Sequence, residues 1–174
     1  MFKAKFMMIV LMAGMAGACS TAPNGAIQDT VLKVFRGADS HDWKLVHSAM
    51  ADKVLLDYTS MAGGQPANLT PAQITGAWKG MLPGFKHTQH SISNFDIRAQ
   101  GDSATAFAYG TAIHYIPGAP GGETWRVMGT YDFKLTRAGG TWKITAMKFN
   151  KTIIDGNGKL PGMALANVKA GKKW

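Results

Sequence analysis

The sequence predicts one α+β domain, in which a curved antiparallel sheet wraps around helices that precede it in the chain. Three observations support this fold class. Between residues 26 and 82, apolar residues recur at helical spacing, with one extended run among them. Between residues 87 and 153, four long extended runs are separated by short turn sequences. The length of 174 residues also suits a single domain with its own core.

Two helices are predicted first. The first begins near Ala26, with Asn24 as a suitable cap and Gly37 where the helix closes. Its apolar residues form one stripe because they are three or four positions apart: Ile27, Val31, Val34, Phe35 and Ala38. The second helix is short and is capped by Ser40 or Asp42. Three of its residues are expected to face inward: Trp43, Val46 and Met50.

A strand and a third helix are predicted next. The run "VLLDYTS" is rich in strand-forming residues. The sequence "TPAQ" then starts a helix, with Thr70 as cap, Pro71 at the first helical position and Gln73 completing a capping box. The apolar face of this helix comprises Ile74, Trp78 and Leu82. Pro83 and Gly84 end it.

The four extended runs cover about 87–99, 103–116, 124–136 and 141–153, divided by "GDS", "PGAPGGE" and "RAGG". The third run alternates cleanly, so one face is shared by Trp125, Val127, Gly129, Tyr131, Phe133 and Leu135. Long consecutive strands with tight links predict an antiparallel meander. A sheet of this length is expected to curl around the helices and enclose a pocket.

The first residues have the layout of an export signal, with two lysines, a short apolar run and then small residues. The apolar run is too short to cross a bilayer, which takes about 20 residues. The small residues directly precede Cys19, an arrangement that resembles the bacterial lipobox, although an ordinary signal peptide is the alternative. We therefore predict a signal peptide (1–18), a lipidated Cys19 with a tether (19–25), the folded domain (26–154) and a tail (155–174). The expected location is the bacterial cell envelope, with the protein lipid-anchored and facing the periplasm.

Charge and cysteine content narrow the possible partners. The net charge of +9 falls to +7 without Lys3 and Lys5, because 17 basic and 10 acidic residues remain. The basic residues are spread singly apart from the final "KAGKKW", and no aromatic platform is flanked by them, so no nucleic-acid partner is predicted. Such a solvated basic surface can assist contact with anionic lipid. The single cysteine allows neither an internal disulfide nor a cysteine-based metal site.

A series of short motifs resembles the SnoaL-like superfamily, whose fold is the nuclear-transport-factor-like cone. The motifs "ADSHDW", "LLDYTS", "HTQH", "AFAYGTAIHY" and "GGTWK" are similar to scytalone dehydratase, in that order. The motifs "AIQD" and "GAD" are similar to hexachlorocyclohexane dehydrochlorinase. The resemblance covers about 26–150. It implies a cone-shaped α+β barrel with an internal pocket, a small-molecule ligand, no cofactor, and a homo-oligomer, either dimer or trimer, formed through the outer sheet face.

The resemblance also implies site residues. Asp39 at the end of the first helix matches the acid of a catalytic pair, and His90 matches its histidine. The dehydratase branch adds Tyr58 and His114 as catalytic groups. In this reading His90 is the base, Asp39 orients it, Tyr58 donates a hydrogen bond to developing charge, and His114 acts as an acid toward a leaving hydroxyl.

The chain departs from the dehydratase pattern in two places, with Ala38 where the family has Tyr and Tyr131 where it has Asn. These departures leave the substrate open. The residues expected to line the pocket are Tyr131, Trp78 and Phe133.

Other readings of these side chains remain open. His87 and His90 are three positions apart, so on a strand they face opposite ways and no metal site is predicted. A histidine on the inner face of a sheet can be a hydrogen-bonded core residue, and Asp39 can be a helix cap. Two functions are therefore considered. One is a cofactor-independent lyase or isomerase of the dehydratase kind; the other is a small-ligand-binding or structural envelope lipoprotein without catalysis.

Overall fold

The computed structural model describes residues 23–172 and Trp174. The predicted signal peptide, Cys19 and most of the predicted tether lie outside the described residues. Within the part of the chain that is described, no helix combines the length and apolarity needed to cross a membrane.

The elements follow the predicted order, with additions. The helices are α1 (Pro23–Ser40), α2 (Trp43–Ala49), α3 (Thr59–Ala62), α4 (Pro71–Lys79) and α5 (Leu160–Lys169), and a 3-10 turn covers Leu82–Gly84. The strands are β1 (Met50–Asp57), β2 (Ala67–Leu69), β3 (His87–Gln100), β4 (Ser103–Tyr115), β5 (Thr124–Ala138) and β6 (Thr141–Gly156). The short elements α3 and β2 were not predicted, and Met50 opens β1 rather than ending α2.

One sheet holds these strands in the order β2-β1-β6-β5-β4-β3. The predicted meander is present as β3 to β6, in which each strand pairs antiparallel with the next. The α+β class is thus confirmed, with two differences from the expected cone. The sheet is curved but not closed, and β1 pairs parallel with β6. No turn joins these two strands, which lie far apart in the sequence, so no local signal sets their relative direction.

The core lies between the inner face of the sheet and the helices. The apolar stripe predicted for α1 is buried, with Ile27, Val31 and Val34 fully inaccessible. The alternation predicted for β5 is also confirmed, since every second residue from Trp125 to Leu135 is buried. These two faces meet, and this contact brings the end of α1 against the sheet.

Two of the predicted helix starts are present in detail, whereas Asn24 and Gly37, expected to cap and close the first helix, both lie inside α1. The Asp42 carboxylate accepts a hydrogen bond from the backbone N–H of Leu45 at 3.0 Å. Thr70 and Gln73 form the predicted capping box, with Pro71 in the first turn of α4. Such caps satisfy backbone groups that would otherwise have no partner at the helix end.

Two glycines on the inner face make room for aromatic rings. A Cβ atom at Gly110 would overlap the ring of Tyr131, and one at Gly129 would come within 2.8 Å of the ring of Phe149. The two rings lie against each other, with centroids 4.7 Å apart. The glycines therefore let the large side chains sit flat on the sheet.

Residues 155–174, predicted as a tail that either wraps the domain or hangs free, pack on it. Helix α5 lies so close to the 3-10 turn that a Cβ atom at Gly84 would overlap the backbone of Ala164. The Gly84 carbonyl accepts hydrogen bonds from the side chains of Asn167 at 2.9 Å and Trp174 at 3.2 Å. Just before α5, the buried Asn157 donates hydrogen bonds to carbonyls of the β4–β5 loop, those of Pro120 and Gly122.

Candidate active site

Asp39 and His90, the two residues expected to pair, are in direct contact. Asp39 is the penultimate residue of α1, and His90 lies on the inner face of the edge strand β3. Asp39 Oδ1 is 2.6 Å from His90 Nδ1 and accepts a hydrogen bond from Thr88 Oγ1 at 2.9 Å. Asp39 Oδ2 accepts the backbone N–H of His90 at 2.7 Å. The carboxylate thus holds both the imidazole and the strand that carries it.

The electrostatics of the pair favour a charged carboxylate. Burial on its own raises the pKa of Asp39, but the hydrogen bonds and charge of His90, with the Thr88 hydroxyl, outweigh it, and the net pKa is lowered from its ordinary value. Asp39 is therefore ionised at neutral pH. An ionised carboxylate beside Nδ1 selects the tautomer in which Nδ1 carries the proton.

This tautomer leaves Nε2 of His90 unprotonated. Among the described residues, the hydrogen bond of the His90 ring is made through Nδ1. The ring packs on Phe35, with centroids 5.6 Å apart, and meets the ring of His114 edge-on at 5.8 Å. The side chains of His90 and Asp39 keep 14% and 22% of their surface exposed, so solvent or a small molecule can reach them. The arrangement suits proton abstraction by Nε2.

His114 lies deeper in the interior and is only 4% exposed. Its Nδ1 lies 3.3 Å from the carbonyl of Trp125, and its ring is 4.8 Å from that of Phe85. Burial, together with the charge of His90, lowers the pKa of His114 to about 4. The ring is therefore neutral at physiological pH, and its Nδ1 proton is directed at a carbonyl. This environment disfavours the acid role expected for His114.

The hydroxyl groups of Tyr58 and Tyr131 are neighbours, and each influences the pKa of the other. Tyr58 also lies 3.9 Å from Met147 Sδ, a weak acceptor. Burial raises the pKa of Tyr58 to about 12, partly offset by the Tyr131 hydroxyl, and burial with the proximity of Tyr58 raises the pKa of Tyr131 well above 10. Both hydroxyls are therefore protonated donors throughout the physiological range. Phe35 separates this pair from the imidazole, because its ring contacts both His90 and Tyr131.

The interior around these groups is filled by side chains. The rings of Phe35, Tyr131, Phe133 and Phe149 pack on one another with centroid distances between 4.7 and 6.4 Å. Phe133 is buried in this cluster, and Trp78 is partly buried on α4 against the core. The site is thus a partly exposed pair of side chains at the rim of a packed core.

Two grooves lie elsewhere on the molecule. One, of about 450 Å³, runs across the outer face of the sheet and is lined by charged residues of four strands, among them Asp96, Asp132 and Lys134. Of the predicted site residues, only Phe133 lines it. A second groove, at the end of the sheet around Ser103, contains none of them. Large aromatic side chains occupy the space that was expected to be an internal pocket.

Sequence reasoning did not identify Thr88 and Phe35 as parts of this site. Thr88 lies two positions before His90, so strand alternation places both side chains on one face and was the available signal. Phe35 lies one helical turn before Asp39 and was assigned to the core stripe only. It is both a core residue and the ring against which His90 packs.

The remaining histidines lie outside the site. His87 stacks on Tyr115 on the opposite face of β3, with ring centroids 6.2 Å apart. His41 stacks on Trp43, and His47 Nε2 lies 2.8 Å from the hydroxyl of Thr75, which links α2 to α4. Over residues 23–172 and Trp174, no group of three or more metal-binding side chains comes together.

Comparison with known proteins agrees with this architecture. The family model of the SnoaL-like domain matches residues 21–148. No curated protein matches the chain. A protein of Kribbella flavida is similar in structure with a TM-score of 0.72 and 21% identity, over 83% of this chain and 96% of that one.

Two further structural neighbours carry the names that the motifs suggested. A protein of Novosphingobium aromaticivorans assigned as a scytalone dehydratase has a TM-score of 0.66 and 17% identity, over 77% of this chain and 87% of its own. A type 2 hexachlorocyclohexane dehydrochlorinase has a TM-score of 0.65 and 16% identity, over 77% and 88%. At these identities the similarity establishes the fold alone. The expected resemblance is confirmed at that level.

Proposed function

The chain belongs to the SnoaL-like domain family, and from that membership and the contact between Asp39 and His90 we propose that it is a lyase or isomerase acting on a small organic molecule through its own side chains. Family members include dehydratases and isomerases. The observation that carries the proposal is the 2.6 Å contact between Asp39 Oδ1 and His90 Nδ1, in a pair of side chains that keep part of their surface exposed.

His90 is proposed as the base. Its Nε2 removes a proton from a carbon next to an activating group such as a carbonyl, and the electron pair of the broken C–H bond moves into an enolate. The imidazolium that forms is stabilised by the adjacent Asp39 carboxylate, which is already ionised. In an elimination, the enolate then expels a leaving group from the β-carbon. In an isomerisation, the proton returns from His90 to another carbon.

Tyr58 is proposed as the donor to the developing oxygen charge once the Phe35 ring, which lies between the tyrosines and His90, moves aside for the substrate. Its hydroxyl lies 3.9 Å from a weak sulfur acceptor at Met147, so it can turn to a stronger oxygen acceptor at little cost. The neighbouring Tyr131 hydroxyl lowers the pKa of Tyr58 against the effect of burial, which favours Tyr58 as a donor. Because burial raises the pKa of both tyrosines, neither loses its proton to the base.

His114 is proposed as a neutral positioning group rather than as an acid. Its pKa of about 4 keeps it uncharged beside His90, which avoids placing two cations side by side when His90 takes up a proton. Its edge-on contact at 5.8 Å also restricts the orientation of the His90 ring. A leaving group would then take its proton from the imidazolium of His90 or from water.

The test is a screen of β-hydroxy and β-halo carbonyl compounds for the appearance of a conjugated double bond by ultraviolet absorbance. The wild-type protein is compared with His90→Asn. The Asn side chain can place an N–H donor near the position of Nδ1 and so retain the bond to Asp39, but it offers no base at Nε2. We expect turnover by the wild type and a loss of at least a hundredfold in His90→Asn with little loss of stability.

A matched control is His87→Asn, on the opposite face of the same strand, which should leave turnover unchanged. If His90→Asn retains the wild-type rate on a compound that the protein converts, the proposal is wrong.

A second candidate function is binding without catalysis, and one observation favours it. Asp39 uses both oxygens to hold β3, accepting from Thr88, the backbone of His90 and its ring. A carboxylate that only clamps a helix end to an edge strand would make these same bonds. In that case variants of Asp39 or His90 lose stability but keep their affinity for the ligand, and no compound is converted in a way that depends on His90.

The location and assembly of the protein are also proposed rather than established. We propose export to the bacterial cell envelope with a lipid on Cys19, which radiolabelled palmitate incorporation and its loss in Cys19→Ser would test. We also propose a homo-oligomer through the outer sheet face, where Tyr109, Ile113 and Ile153 are exposed. Light scattering on the wild type and on Ile113→Lys tests this.

A further inference from the structure

Two segments that are distant in sequence meet at one end of the molecule. The segment of α4 and the following turn (71–86) contacts the segment that contains helix α5 (158–174) through the close approach of Gly84 and Ala164. Asn167 and Trp174 fasten the two segments by hydrogen bonds to the Gly84 carbonyl. The surface formed by these two segments is called the basic end below.

The basic end carries charge of one sign. Neither segment contains an aspartate or a glutamate. Its described lysines are all exposed: Lys79, Lys86, Lys159, Lys169 and Lys172. The nearest acidic residues along the chain are engaged elsewhere, because Asp155 pairs with Arg126 at 3.0 Å, Asp96 with Arg98 at 3.2 Å and Asp57 with Lys148 at 3.7 Å. No acidic group within either segment screens the lysines.

Large apolar side chains are exposed on the same surface. Leu165 is 43% exposed and lies one helical turn before Lys169 on the same face of α5. Trp174 is 42% exposed, and its indole N–H is bonded to Gly84 while Lys172 Nζ lies 3.9 Å above its ring. The hydrogen bond ties the ring to the turn while much of its surface remains exposed. Lysines around an exposed leucine and tryptophan suit the surface of a bilayer, where the lysines can meet the phosphate groups and the apolar side chains can meet the upper part of the acyl chains.

We propose that the basic end docks on an anionic phospholipid bilayer, with Leu165 and Trp174 at the level of the headgroups and the lysines against the phosphates. Charge complementarity selects this partner, since the negative surface potential of anionic lipid attracts each nearby lysine. The contact does not depend on catalysis, nor on a lipid at Cys19. With such a lipid present, it would fix which end of the domain faces the membrane.

The test measures which lysines of the full chain the vesicle surface protects from chemical modification. Such protection identifies the docking surface even if a lipid at Cys19 also holds the protein on the vesicle. Vesicles of phosphatidylcholine are compared with vesicles in which about 30% of the lipid is phosphatidylglycerol. Lysine acetylation is followed by mass spectrometry on the vesicle-bound fraction. We expect Lys169 and Lys172 to react at least fivefold more slowly on the anionic vesicles, and Lys134 and Lys148 on the outer sheet face to react equally on both.

Charge-neutralised variants separate this contact from a general effect of net charge. Lys169→Gln with Lys172→Gln should abolish the protection of Lys86 and Lys159, since each lysine contributes about a fivefold factor to binding. Lys134→Gln with Lys148→Gln changes the net charge equally and should leave the protection intact. Equal reactivity on both vesicle types, protection already present without lipid as in a contact between two copies, or equal effects of the two double variants would each overturn the proposal.

Discussion

Acid should destabilise the protein through His114 before most carboxylates titrate. In the folded state the pKa of His114 is lowered to about 4, whereas in the unfolded chain it returns to 6.5. Between these values the unfolded chain binds more protons than the folded one. Stability is therefore fully present above about pH 6.5 and is lost as the pH falls toward 4.

The size of the effect follows from the shift. Each pKa unit corresponds to about 1.4 kcal/mol, so the whole shift amounts to about 3 kcal/mol, of which about 2 kcal/mol falls between pH 7 and pH 5. This free energy needs no large correction for screening by solvent, because His114 is only 4% exposed. A loss of this size is a considerable part of the stability of a domain.

The measurement is urea unfolding followed by tryptophan fluorescence at pH 7 and pH 5, for the wild type and for His114→Asn. The Asn side chain keeps a donor near the Trp125 carbonyl but does not titrate. Between pH 7 and pH 5, we expect the free energy of unfolding of the variant to fall by about 2 kcal/mol less than that of the wild type. If both proteins lose the same amount within about 0.5 kcal/mol, the burial argument for His114 is refuted.

Two further substitutions test the packing of residues 155–174. Gly84→Ala places a methyl group against the backbone of Ala164 and should cost about 1–3 kcal/mol in urea unfolding, with faster amide exchange in α5. Gly162→Ala, in α5 with open space around it, should be neutral or stabilise by about 0.5–1 kcal/mol, and equal losses would contradict the close contact. Asn157→Ala should cost about 1–3 kcal/mol and speed amide exchange in the β4–β5 loop, because two carbonyls lose their donor. Asn150→Ala, whose partner Asp132 is exposed, should change stability by less than about 0.5 kcal/mol, so a similar loss there would argue against the loop clamp.

The elements of this fold could be predicted from local patterns. The capping box at Thr70 and the alternation from Trp125 each rest on residues close together in sequence, and both are present in the structure. The relative direction of β1 and β6 could not be predicted, because no turn joins them. Helix α5 was not predicted either. It packs against Gly84 and is hydrogen-bonded to the Gly84 carbonyl, and these contacts join residues far apart in the sequence.

For the site, the prediction depended on the resemblance. Asp39 and His90 are fifty-one positions apart, and only the family motifs suggested that they meet. The packed interior was not foreseen, because a sequence shows that Tyr131 and Phe133 share a face but not that Gly110 and Gly129 let the rings of Tyr131 and Phe149 lie flat. Nor does the sequence show that His114 is enclosed by Phe85 and Trp125, the arrangement that keeps it neutral.

The parallel pairing of β1 with β6 also has a consequence for how the chain folds. Helices α1 and α2 and strand β1 are made first, yet the strand that covers β1 is the last of the sheet to be made. Strand β1 can pair with the short β2 early, but its other edge has no neighbouring strand until residues 144–148 are available. Bringing β1 and β6 together closes a loop of most of the domain, and the entropy of closing it is lost before the strands gain contacts. Folding should therefore be slow and should be completed only when nearly the whole chain has left the ribosome.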